Sequence, residues 1–171
     1  MSPISVYIEM PEYLKKYLIS ESTTKVEPLS FAPKHDYNIL LTRLISNYRS
    51  KPADHHVNRV KIQLPFNAIK NVYFYNNLSA ESRRVFREQI QRDMYYDFRV
   101  FLKDMILAGE QQKIALEKFF LLHGITEDDL KYESFYRNFT RFIEKRRCIL
   151  HQGTFNQLNL KSVHKFAKKT A

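Results

Sequence analysis

The chain opens with alternation. Ile4, Val6 and Ile8 are apolar and Ser5, Tyr7 and Glu9 separate them, the period of a short strand with one buried face. Pro11 stops the strand and suits the first position of a helix. Tyr13, Leu14, Tyr17 and Leu18 then carry an apolar stripe to about Ser20. Residues 21–28, ESTTKVEP, predict a loop, continued over 29–33 with Phe31 docked. A second helix is expected from Asp36 to about Arg49, on Ile39, Leu40, Leu41, Leu44 and Ile45. Residues 50–58, SKPADHHVN, form a turn-rich connection. Val60, Ile62, Leu64 and Phe66 alternate again and predict a second strand. Pro65 must lie near its end or on an edge, because it has no N–H for the ladder. Val72 to Tyr75 is a candidate third strand, with Asn76-Asn77 as the turn after it. Together these pieces predict a small antiparallel sheet.

The clearest periodicity comes next. Phe86, Ile90, Met94, Phe98, Phe101 and Met105 step by three or four and predict one long helix. Ser79 is its N-cap candidate, Glu81 sits in its first turn, and it should end near Leu107, before Gly109. Such a helix would be roughly 40 Å long.

The stretch from Glu110 to Arg147 parses as three helical pieces. Ile114, Ala115, Phe119 and Leu122 give the first an apolar face. Gly124 can close it in the left-handed conformation. Thr126 is then an N-cap candidate for a short second helix, with Glu127, Asp128 and Asp129 at its positive end and Leu130 inward. A third helix, capped near Ser134, carries Phe135, Phe139, Phe142 and Ile143 on one side. Arg137, Arg141 and Lys145 are four apart on another side, with Asn138 beside them. Like charges at that spacing repel by a few tenths of a kcal/mol per pair, roughly. A polyanionic partner would remove that repulsion; a solvated basic face is the alternative.

This segment resembles three-helix, helix-turn-helix DNA-binding domains, on Ala115 in the first helix, Gly124 at the corner, the Thr126 cap and Leu130. The whole chain also looks like the small basic proteins of phages and integrating elements. The resemblance implies a DNA-binding accessory or regulatory protein. On this reading Arg137, Asn138 and Arg141 contact bases or phosphates, since Arg suits guanine and Asn suits adenine in a major groove. Lys145, Arg146 and Arg147 contact phosphates, and the tail through Lys161, Lys165, Lys168 and Lys169 adds non-specific attraction.

Composition sharpens this picture. The 171 residues carry a net charge of +10 and a pI near 9.6, a field that favours polyanions. From Arg137 to Ala171 there are nine Lys or Arg against one acid, Glu144, so eight of the ten net charges fall there. With 3 Gly and 6 Pro, the chain is poor in the turns an all-β architecture needs. The expected fold is therefore α+β and mostly α-helical: a small N-terminal antiparallel sheet and a helix-turn-helix-like C-terminal half. The expected divisions are 1–78, 79–150 and a basic tail, 151–171. No run of 18 apolar residues is present, no signal peptide is legible, and Cys148 is the single cysteine. These features predict a cytoplasmic protein without a membrane partner; a homodimer or a protein partner stays open.

Enzyme chemistry has few footholds, and a non-enzymatic protein without cofactor or metal is expected. Glycine-rich phosphate loops and the G-x-S-x-G elbow are absent. Cys148 and His151 could share a helical turn, but no further cysteine supports a zinc site. His55-His56 are adjacent and poorly placed to share a metal. Glu127 to Asp129 could hold a divalent cation, as a nuclease requires, although a helix start explains the acids equally. Tyr95-Tyr96 and Tyr73-Phe74-Tyr75 could stack bases; their apolar surroundings favour core packing. Tyr136, near Arg137 and Arg141, faintly echoes a tyrosine recombinase, in a chain short for one. The competing readings are an interaction protein with an acidic partner and, third, a small metal-dependent nuclease.

Overall fold

The computed structural model describes residues 4–46, 58–65 and 75–151, the last nine without their side chains. The chain divides into two compact units, Met1–Lys131 and Tyr132–Ala171. The fold is α+β and mostly helical.

In the first unit, β1 (Ser5–Glu9) pairs antiparallel with β3 (Arg59–Gln63). Val6 faces Ile62 across the ladder and Ile8 faces Val60. All four are buried, so the alternation seen in the sequence does set one inward face. Leu29 adds a parallel bridge: its N–H donates to Lys61 O and its carbonyl accepts from Gln63 N, both at 2.8 Å. A second ladder joins β2 (Ile45–Ser46) to β4 (Asn77–Leu78). This shortens the expected second helix. That helix, α2, spans Asp36–Leu44, and Ile45 leaves it for the strand because Leu78 offers it a backbone partner. The expected third strand, 72–75, lies outside the described residues except for Tyr75.

Helix α1 covers Glu12–Glu21 and buries Leu14, Tyr17 and Leu18. Helix α3 covers Ala80–Leu107, as its periodicity predicts. The Ser79 hydroxyl caps it, accepting from Ser82 N at 3.0 Å. Phe86, Ile90, Met94 and Phe98 are fully buried. Past Phe98 the buried line shifts to Leu102, while Phe101 and Met105 are only partly covered. A 3.6-residue period drifts off a strict four-residue step, and the helix follows its own geometry.

Helix α4 (Gln112–Leu122) packs on α3: the Phe98 and Phe119 rings meet edge-on at 5.2 Å. Its inward residues are Ala115, Leu116, Phe119 and Phe120, with Ile114 at the margin. Leu122, expected inward, is 67% exposed and Leu121 is 79% exposed. The buried stripe ends one turn earlier because the helix closes at His123.

Helix α5 (Tyr132–His151) belongs to the second unit. It starts ahead of the expected Ser134 cap. The short helix expected after Thr126 is instead a single turn, closed by Leu130 N donating to Thr126 O at 3.2 Å. So few residues fix too many dihedrals per hydrogen bond to sustain a helix of their own.

Candidate nucleic-acid interface

The expected binding residues fall in the second unit. Along α5, Phe135 and Phe139 are buried and their rings lie parallel, 6.5 Å apart. Arg137, Asn138 and Arg141 are exposed. The helix thus separates an aromatic side from a basic, hydrogen-bonding side, as its spacing predicts. Thr140 turns its hydroxyl back to Tyr136 O at 3.0 Å, so it competes for nothing on the basic side. Lys145, Arg146 and Arg147 lie on the same helix, but their side chains are outside the described residues, as are those of Cys148 and His151. Lys161, Lys165, Lys168, Lys169, the His55-His56 pair, Tyr73 and Phe74 also lie outside them. Tyr136 is half-buried against Phe139.

The corner after α4 has the geometry that Gly124 was expected to supply. Its φ is +63°. Ile125 N donates to Phe120 O at 2.9 Å and Gly124 N to Leu121 O at 3.1 Å, the paired bonds of a Schellman closure. Buried Ile125 and Phe120 make up its apolar side.

The acidic run beyond the corner is structural at one position. Asp129 Oδ2 accepts from Thr126 N and Thr126 Oγ1, both at 2.7 Å, and from Lys16 Nζ at 2.6 Å. Burial alone would raise the Asp129 pKa, but these donors outweigh it and hold the carboxyl below the usual range. Among the described residues no group of three or more His, Cys, Asp or Glu side chains could hold a metal ion. None of the described helices is long and apolar enough to cross a membrane. Tyr95 is buried, as its surroundings predict, whereas Tyr96 is exposed.

A buried polar chain escapes sequence reasoning, because its tyrosines read as apolar stripe positions. Tyr17 donates to Asp97, and the Tyr37 phenol lies in electrostatic reach of both Asp93 and Tyr17. Asp93 also accepts from Gln89 at 2.7 Å. Burial first, then Tyr37 and Asp97, pushes Tyr17 well above its ordinary range; burial and then Asp93 do the same for Tyr37, with Tyr17 pulling the other way. Burial likewise raises Asp93. Next to this chain, Ser20 Oγ lies 2.6 Å from His123 Nδ1. Serine, histidine and aspartate are the residue types of an acyl-transfer triad. Here, however, the Ser20 proton goes to Tyr17 O at 2.6 Å, so His123 Nδ1 is the donor and not the base.

Compared with family models, curated proteins and solved structures, the chain matches none.

Proposed function

We propose that this is a duplex-DNA-binding accessory or regulatory protein that uses the basic side of α5. The observation that carries the reading is the exposure of Arg137, Asn138 and Arg141 on one helix whose Phe135 and Phe139 are buried. An α-helix fits the major groove, where Arg pairs with guanine edges and Asn with adenine edges. The +10 net charge adds attraction to phosphates at long range.

The test is binding to random duplex at two salt concentrations. Arg137→Gln with Arg141→Gln should weaken binding more than Lys165→Gln with Lys168→Gln, although each pair removes two charges. Each lost phosphate contact should also reduce the log–log salt slope by roughly 0.9. Equal losses from the two pairs would leave only a basic surface. Absence of binding by the unchanged protein at low salt would remove the nucleic-acid reading.

A second reading has its own support. Leu121 and Leu122, 79% and 67% exposed, are adjacent apolar side chains of the kind protein partners cover. Under that reading the protein is an interaction module, and an acidic partner covers its basic end.

A further inference from the structure

Far in sequence from α5, the first unit gathers a different set of arginines. A cleft of about 250 Å³ is lined by Tyr7, Glu9, Arg59, Ala80, Arg83, Arg84 and Arg87. Tyr7 and Glu9 are on β1, Arg59 begins β3, and Ala80 to Arg87 are the first two turns of α3. Glu9 and Arg59 are opposite one another in the ladder.

The arginines are not equivalent. Arg84 is held by Glu81, through Nε at 2.9 Å and Nη2 at 2.6 Å, and by Glu88 through Nη1 at 2.7 Å. Its charge is answered. Arg83 donates Nε to Leu78 O at 3.0 Å and Nη2 to Asn77 Oδ1 at 3.2 Å, both neutral acceptors. Those bonds fix the guanidinium and leave three of its five N–H donors for something else. No side-chain hydrogen bond or ion pair joins the Arg87 guanidinium to another described residue. Arg83 and Arg87 are one turn apart on the same side of α3, at the end where the helix dipole favours an anion. Arg83 is partly desolvated, and burial and Arg59 both lower its pKa. Neither the Arg83 nor the Arg87 guanidinium forms an ion pair with a carboxylate among the described residues.

We infer that this cleft binds the phosphate of a small phosphorylated ligand of mononucleotide size or less. Arg83 and Arg87 hold the phosphate and the half-exposed Tyr7 ring flanks the group it carries. A phosphate monoester has a charge of about −1.5 to −2 near pH 7, which matches two guanidinium groups, and the guanidinium fork fits its oxygens two at a time. The cleft lies just below the usual size of ligand sites, roughly 300 Å³ or more, so a polymer strand is not its natural occupant. Glu9 faces the same space and opposes the anion.

Titration calorimetry of the full chain with inorganic phosphate, adenosine 5′-monophosphate and adenosine is the test. The monophosphate should bind saturably and adenosine should not. Arg87→Gln, which breaks no bond seen here, should weaken the monophosphate by about tenfold or more, the loss expected for a charge-assisted hydrogen bond. Tyr7→Ser should weaken the monophosphate more than it weakens phosphate, and Glu9→Gln should tighten both. Arg137→Gln with Arg141→Gln should leave this binding unchanged, which separates it from the duplex-binding reading. No saturable binding of either phosphate compound, or an unaltered affinity in Arg87→Gln, overturns the inference. So does an Arg87→Gln variant that loses duplex DNA as strongly as it loses the monophosphate, because the cleft would then be part of a nucleic-acid surface.

Discussion

Lys16 and Asp129 stand 113 positions apart, yet Lys16 Nζ lies 2.6 Å from Asp129 Oδ2. The pair ties α1 to the turn after α4, and the same carboxylate oxygen also closes that turn on Thr126. Asp129→Asn keeps the volume and removes the charge. It should lower stability by about 1 kcal/mol near neutral pH, at the upper end for surface ion pairs, because the Asp129 side chain is only 10% exposed and that of Lys16 30%. The folded pKa lies below the unfolded one, so the unfolded state takes up the proton first as pH falls. The contribution is complete above about pH 4 and disappears below it. Urea denaturation of both proteins should show a gap at neutral pH that narrows in acid; a gap independent of pH would mean that the charge is irrelevant to the turn.

Phe98 is fully buried and meets Phe119 edge-on. Phe98→Ala should cost about 3–5 kcal/mol, the range for a buried Phe truncation. A chemical-denaturation loss below about 1 kcal/mol would contradict a close-packed α3–α4 contact.

Gly124 separates backbone strain from steric crowding. Its φ is +63° and a Cβ placed there meets nothing within 4 Å. Gly124→Val should therefore cost at least about 1 kcal/mol through the backbone alone. Gly124→Asn should cost less, because Asn tolerates the left-handed region. Equal midpoints for the two variants in thermal denaturation would count against conformational strain as the cause.

His123 gives a second pH signature. Burial lowers its pKa, and Asp97 only partly opposes that. Protonation thus favours the unfolded chain, whose histidine titrates near about 6.5. Stability from this residue is complete above that value and is lost as pH falls through the lower folded pKa. His123→Gln should flatten the stability profile between about pH 7 and 5. Asp93, with a raised pKa, contributes with the opposite sign, and subtracting the two profiles cancels it. Parallel profiles for parent and variant would show that His123 does not titrate with folding.

Legibility in the sequence followed locality. The limits of α3 could be read because cap, periodicity and terminator all lie within the segment itself. Ile45 could not be assigned: its spacing continues that of Leu41 and Leu44, and only a backbone partner at Leu78, distant in sequence, takes it into a strand. Leu122 fits the apolar spacing of α4 but falls beyond its covered length. The exposed side of α5 was visible because Arg137 and Arg141 need only helical geometry to align. The arginine cleft was not, since it depends on β1–β3 register bringing Tyr7, Glu9 and Arg59 to the start of α3.

The Asp97–Tyr17–Tyr37–Asp93 chain also limits how the helices can slip. Apolar helix surfaces are forgiving, since a displacement of one turn exchanges one methyl contact for another. Here the two carboxylates are one turn apart on α3, and each is matched to a hydroxyl from a different helix, α1 or α2. Sliding α3 by a turn would part at least one of these half-exposed carboxylates from its phenol and leave a buried hydroxyl without its polar neighbour. The core therefore works like a two-pin key: greasy contacts supply the grip, and two oxygens four residues apart decide the single depth at which it seats.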